Sequence, residues 1–196
     1  MKYGIILLLV ISSTNLFAQS ATYKLVNKSN GSYSNISVRQ TSNHLDVNVL
    51  ANWNSKLGTY GEYNGSGTLM ANRCTLNSDS TSCRVTLEFS NDSLLQVGFT
   101  DCEEHMIPED FSGTYTKIAD NVPGEYVAVA DISYFYSKPD DKSRKKGFFN
   151  KSQVMNIEEM FAGDWGFATL MTNGKHSFGY VKLSDLKLKR TYLYDN

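Results

Sequence analysis

The stretch from Asp131 to Leu186 sets the pattern of this chain. It contains Asp131-Ile-Ser-Tyr-Phe-Tyr-Ser-Lys-Pro-Asp140, Gly163-Asp-Trp-Gly-Phe167 and Gly179-Tyr-Val-Lys-Leu-Ser-Asp-Leu186. Short apolar/polar alternations, opened by aromatic residues and divided by turn clusters, are the pattern of half-buried β-strands. Strands are expected at Tyr126–Ala130, from Ser133 toward Pro139, and at Gln153–Ile157, Trp165–Leu170 and His176–Val181. Thr172-Asn-Gly174 is a tight-turn signal, and Ser184–Leu186 reads as a short helical turn. Asp140 to Lys146 reads as a charged loop.

Side chains alternate faces along a strand. If Phe135 faces a small core, Tyr134 and Tyr136 face outward, near Trp165 and Tyr180. These four rings are the candidate ligand-binding residues, because rigid aromatics offer a large contact area at low entropic cost. The competing reading is that they cover a core of about 60 residues, small enough to need them. Lys142, Arg144, Lys145 and Lys146 either meet an acidic partner or form a solvated loop.

The order of these pieces resembles the bacterial SH3 (SH3b) family across residues 125–188. The resemblance rests on Tyr134-Phe-Tyr-Ser-Lys-Pro139, Val154-Met-Asn-Ile157, Asp164-Trp165, and Gly179-Tyr-Val181 with Asp185-Leu186. Tyr180 stands where that family usually has Trp, and Ser152 where Gly is common. The resemblance implies a small SH3-like barrel whose groove binds peptides or cell-wall peptidoglycan.

Upstream, Leu45, Val47, Val49, Ala51 and Trp53 alternate with His44, Asp46, Asn48 and Asn52. Val85, Leu87 and Phe89 alternate with Arg84, Thr86 and Glu88, and Leu95, Val97 and Phe99 with Gln96 and Gly98. About eight such strands between Ala21 and Lys117 make an antiparallel barrel or a sandwich. No segment of this half reads as a helix. A hairpin about Asp92–Ser93 pairs Val85 with Phe99 and Leu87 with Val97. Cys83 then lies opposite Asp101, and Cys102 needs a bulge or twist to reach it. Cys83–Cys102 is the favoured disulfide and Cys74–Cys83 its rival; in the first case Cys74 is an unpaired, buried thiol. The run from Cys83 to Lys117 loosely resembles small disulfide-containing β modules of exported bacterial proteins.

Asp101, Glu103, Glu104, His105, Glu109 and Asp110 gather around Cys102. A divalent-cation site is one reading. With no spaced ligand repeat, a solvated inter-strand loop is the expectation, and no metal or other cofactor is assigned.

Met1-Lys2, the apolar run Gly4 to Ile11 and the small residues Ser12, Ser13 and Ala18 follow the order of a secretory signal peptide. Cleavage is expected after Ala18, with Ser20 the second choice. The run is short of the roughly 20 residues that cross a bilayer, so an integral membrane protein is not expected. The 196-residue chain carries a net charge of −1, which disfavours nucleic acid as a partner. His44, His105 and His176 lack spaced partners, and no His-Glu-x-x-His, Gly-x-Ser-x-Gly, phosphate-loop or Cys-x-x-Cys motif occurs.

The expectation is therefore an exported, periplasmic or secreted all-β protein that is not an enzyme. Its parts are a signal peptide (1–18), an antiparallel β-barrel or sandwich (19–118), a linker (119–124) containing Pro123-Gly124, and an SH3b-like domain (125–190). The expected activity is binding of a cell-envelope ligand, either peptidoglycan or a protein. The alternative is inhibition of, or immunity to, a lysozyme-like or other envelope-attacking enzyme.

Overall fold

Period-two alternation becomes an all-β protein because each strand buries one face and solvates the other. The structure, a computed structural model, describes residues 20–26, 31–53, 58–77, 82–172 and 174–193. The expected signal segment lies outside the described residues. The first eight strands are β1 (Ser20–Val26), β2 (Tyr33–Thr41), β3 (His44–Asn52), β4 (Tyr60–Thr68), β5 (Arg73–Asn77), β6 (Arg84–Asn91), β7 (Leu94–Thr100) and β8 (Gly113–Ala119). They pair in sequence order, and β8 returns to β1, so the alternatives of barrel and sandwich resolve to a barrel. Its weakest seam joins β4 to β5, where the only laddered pair among the described residues is Ser66 with Asn77. Side chains including Ile36, Leu45, Val49, Leu76, Val85, Leu95 and Tyr115 fill the interior.

The predicted hairpin register is observed: Val85 pairs with Phe99 and Leu87 with Val97. Arg84 pairs with Thr100, so Cys83 faces Asp101. Asp101 adopts a left-handed backbone (φ 55°), which turns the chain and delivers Cys102 instead. Cys83 and Cys102 form the disulfide, with Cα atoms 4.3 Å apart. Cys74 is the free thiol. It is buried, and burial pushes its pKa up to about 11.

The remaining strands are β9 (Gly124–Ala128), β10 (Ile132–Tyr136), β11 (Arg144–Asn150), β12 (Val154–Phe161), β13 (Trp165–Thr172), β14 (Lys175–Lys182) and β15 (Leu186–Thr191). They form one antiparallel sheet in the order β11-β10-β14-β13-β12-β9-β15. Tyr126, Phe135, Phe149, Met155, Ile157, Ala168 and Val181 make its core. Two stretches differ from the expectation. The charged run read as a loop to Lys146 becomes strand from Arg144, because pairing with β10 captures it. Beyond the 3-10 turn Leu183–Asp185 the chain does not stop but adds β15 along β9.

Two quoted motifs prove to be one device. Asp164 accepts the Leu183 N–H at its carbonyl (2.9 Å) and the Ser184 N–H at its carboxylate (2.9 Å). The Asp-Trp turn thereby holds the 3-10 turn that precedes β15. Gly179 is required where β14 pairs with β10: a Cβ there would come within 2.7 Å of the Tyr136 carbonyl oxygen.

Two buried tyrosines anchor connections, Tyr115 that between β7 and β8 and Tyr126 the passage between the sheets. Tyr115 donates to the Phe111 carbonyl (2.8 Å) and Tyr126 to the Val122 carbonyl (2.7 Å). Each buried phenol thus satisfies a main-chain acceptor. Val122 is itself fully buried, and the Thr22 hydroxyl of β1 donates to the Asn121 carbonyl at 2.7 Å. The connection between β8 and β9 is therefore tied to the barrel.

Replacing Cys83 and Cys102 together by Ala should lower unfolding free energy by about 2–4 kcal/mol, read from the urea midpoint. At about pH 8, near the ordinary thiol pKa, a thiol reagent should leave folded wild-type protein unmodified. It should titrate a single thiol, at Cys74, once the chain is unfolded; modification of Cys83 or Cys102 under those non-reducing conditions would contradict the pairing.

Candidate functional site

Residues directly opposite in an antiparallel ladder project to the same side. Phe161 lies opposite Trp165, Trp165 opposite Lys182, Phe167 opposite Tyr180, and Tyr180 opposite Tyr136. Tyr134 lies opposite Phe148. The intervening positions, among them Phe135, Phe149, Ala168, Leu170 and Val181, form the core. Tyr134, Tyr136, Phe148, Phe161, Trp165, Phe167, Phe178 and Tyr180 therefore share the outer face of the second sheet.

The rings are in contact. Centroids are 4.8 Å apart for Tyr136–Trp165, 5.0 Å for Phe161–Tyr180, 5.4 Å for Phe167–Tyr180 and 6.4 Å for Phe167–Phe178. All but the last meet edge to face, the arrangement the ring quadrupole favours. Cations border them. Arg144 lies over Tyr134 (4.5 Å), Lys145 over Phe178 (5.0 Å) and Lys182 over Trp165 (5.7 Å). Lys182 also pairs with Asp141 at 2.6 Å, and this partner raises the lysine's pKa.

The four rings singled out from sequence are distributed unevenly. Tyr136, Trp165 and Tyr180 come together, while Tyr134 sits near the sheet edge beneath Arg144. Tyr136 and Trp165 are only 9% and 7% exposed, so the accessible part of the face lies elsewhere. Phe178 is 59% exposed and Phe148 56%, and Phe167 and Tyr180 are half-buried between. Sequence reading did not select Phe161, Phe167 or Phe178 for this face. For two of them the signal was available: Phe167 is two residues from Trp165, and Phe178 two from Tyr180.

The aromatic row continues onto the barrel. Lys24 of β1 lies over both Phe161 (5.3 Å) and Tyr33 of β2 (3.8 Å). Glu159 of β12 sits at the junction. It accepts from the Asn35 amide (2.8 Å) and the Tyr33 hydroxyl (3.3 Å), with the Lys24 ammonium at 3.9 Å. Burial pushes the Glu159 carboxyl above the ordinary glutamate range, against the pull of Lys24, Tyr33 and Asn35. Burial likewise lowers the Lys24 pKa, against the attraction of Glu159. Both shifts mean that desolvation outweighs the mutual attraction of the pair, the usual balance for a buried ion pair.

The acidic cluster near Cys102 does not converge. It belongs to the segment between β7 and β8. There His105 packs edge-on against Tyr63 (5.3 Å), with its Nδ1 3.1 Å from the Glu62 carbonyl oxygen. Trp53 donates to the Met106 carbonyl at 2.9 Å. Among the described residues, no group of three or more His, Cys, Asp or Glu could hold a metal ion. Hollows on the barrel among the described residues include one of about 320 Å³ beside Trp53 and Met106 and one of about 420 Å³ beside Thr86 and Gly98. Neither includes any of the aromatic-face residues. Among the described residues, no helix is long and apolar enough to cross a membrane.

Comparison with protein-family models, with curated proteins and with solved structures gave no match.

Glu159→Gln retains an acceptor for Asn35 but cannot ionise. Because the folded carboxyl has a raised pKa, its stabilising contribution is fully present below the ordinary value of about 4.3. That contribution is lost as pH rises through the folded value. The melting temperature of wild type relative to Glu159→Gln should therefore be most favourable at acid pH and decline toward neutrality. A relative melting temperature that climbs with pH would mean that Lys24 outweighs burial.

Proposed function

We propose that this protein is a non-catalytic binding protein, exported from the cytoplasm, that takes a cell-envelope ligand on the aromatic outer face of its second sheet. The observation that carries this reading is the contiguous ring set Phe161–Tyr180–Phe167–Phe178, bordered by lysines and continued by Tyr33 onto the barrel. Such a face has no role in either core. Large exposed aromatic patches mark sites of contact with partners. Ring faces stack on the apolar faces of sugars or on peptide side chains, and the flanking ammonium groups can meet carboxylates. Peptidoglycan carries all of these chemistries, and an envelope protein offers the last two. The resemblance of residues 125–188 to SH3b domains favours the same class of ligand. The Cys83–Cys102 disulfide is compatible with an oxidising, exported location.

Sedimentation with purified peptidoglycan and a pull-down from envelope extract test the two ligand classes separately. Phe178→Ala and Tyr180→Ala should each weaken capture by about tenfold or more, as hot-spot aromatics do, with the melting temperature held for the exposed Phe178 and lowered modestly for the half-buried Tyr180. Trp165→Ala should instead destabilise by roughly 3–5 kcal/mol, as loss of a buried large ring does. Undiminished capture by both surface variants would remove the aromatic face from the function. A lysozyme assay reports on the inhibitory alternative: slowed lysis would favour it over simple binding.

A further inference from the structure

We propose that the open edge of β11 is a docking strand for an extended acidic segment of a partner polypeptide. This edge borders the aromatic face at Tyr134 and Phe148, but the proposal uses its main-chain groups and cations and does not rest on the reading given to that face. Among the described residues β11 pairs only with β10, so its other side has no ladder.

The register shows which backbone groups that edge presents. The Lys151 N–H donates to the Asp131 carbonyl at 3.3 Å, beside the pairing of Ile132 with Asn150. Hydrogen-bonded and non-hydrogen-bonded pairs alternate along an antiparallel ladder. Ser133/Phe149 is therefore a bonded pair, and Tyr134/Phe148 a non-bonded one. The Phe148 N–H and C=O thus point away from β10. Past the bulge, the Ser137 N–H donates to the Ser143 carbonyl at 3.0 Å. Arg144, opposite Tyr136, accordingly turns its backbone groups outward too. Arg144, Lys146, Gly147 and Phe148 are exposed, so no other part of the described chain covers this edge.

Charge selects the occupant. Arg144, Lys145 and Lys146 are consecutive, and β11 holds no carboxylate. Among the described residues none of the three forms an ion pair: Arg144 lies over the Tyr134 ring, and Lys145 donates to the Phe178 carbonyl. The opposite edge, β15, is also basic, but Lys189 and Arg190 there are paired with Glu125. A lysine-bearing edge repels a second copy of itself. Complementary charge across an interface favours an acidic strand in its place. Strand addition then supplies main-chain hydrogen bonds, and alternate side chains set the preference. On one face those side chains would meet Phe148 and Tyr134.

The test uses the full chain and two labelled synthetic peptides, Thr-Glu-Val-Glu-Thr-Glu-Val-Glu and its Lys-for-Glu counterpart. Anisotropy at low salt reads binding, and amide hydrogen exchange reads its place. The acidic peptide should bind, the basic one should not, and the Phe148 amide should gain protection. Arg144→Glu with Lys146→Glu should weaken binding by about tenfold or more. Phe148→Pro removes an outward N–H without breaking a ladder bond, and should weaken binding with little loss of melting temperature. Should that variant fail to fold, protection of the wild-type Phe148 amide decides. Absence of binding by the acidic peptide, or binding without new protection at β11, overturns the proposal. Equal binding of the basic peptide does so as well. A polyuronate that binds as tightly as the acidic peptide, with no edge protection by either, would mark a general anion surface and also overturn it. Phe161→Ala, at the far end of the aromatic face beside Lys24, should leave peptide binding unchanged, which separates this edge from the ring set around Phe161 and Tyr180.

Discussion

The junction at Glu159 is the interaction on which the arrangement of this protein depends. One carboxylate of the second sheet reaches across to Lys24, Tyr33 and Asn35 of the barrel. Burial there costs the carboxylate and the ammonium more than their attraction returns, as their opposed pKa shifts indicate. Such a contact contributes geometry more than stability. The hydrogen bonds accept one approach of the two sheets, and an uncompensated charge penalises others. Hydrophobic contact completes the joint, because Ile118 and Ala119 at the end of β8 pack against the core of the second sheet. The ring row can therefore continue from Phe161 through Lys24 to Tyr33 as one surface.

Within the second sheet, the two faces divide the work. The inner face is aliphatic and aromatic and forms the core. The outer face is aromatic and bordered by cations, with Trp165 and Tyr136 packed together at one corner and Phe178 standing in solvent. Tyr136 and Trp165 thus hold both of the roles weighed for them. They cover the structure beneath, and they support the more accessible rings beside them. The Asp164 clip, which binds the Leu183–Asp185 turn, keeps Trp165 at the start of β13 where this packing is made.

Much of the architecture was legible because alternation is a local property. The face of Phe135, the 85–99 and 87–97 pairing and the number of strands in the barrel all follow from it. β11 left no such trace, since only Phe149 of its seven residues is buried. β15 did leave one, in the alternation of Leu186 and Leu188 with Lys187 and Lys189, but the short helical turn ahead of it read as the last structural element of a domain ending at 190. The site was legible only in part. Parity could place Tyr134, Tyr136, Trp165 and Tyr180 on one face. It could not say that a contact between rings and a neighbouring turn would bury two of them.

The sequence by itself determined the fold class, the strand spacing and the pairing partners of the local hairpins, because these depend on residues a few positions apart. It also determined that Cys83 would face Asp101, leaving Cys102 one residue out of register. The tertiary structure decided how that residue was gained, through a left-handed Asp101. It decided as well which rings remained accessible, which sheet edge stayed open and how the two sheets met. Each of these depends on groups distant in the chain, such as Asn35 and Glu159, whose interaction exists only after both sheets have formed.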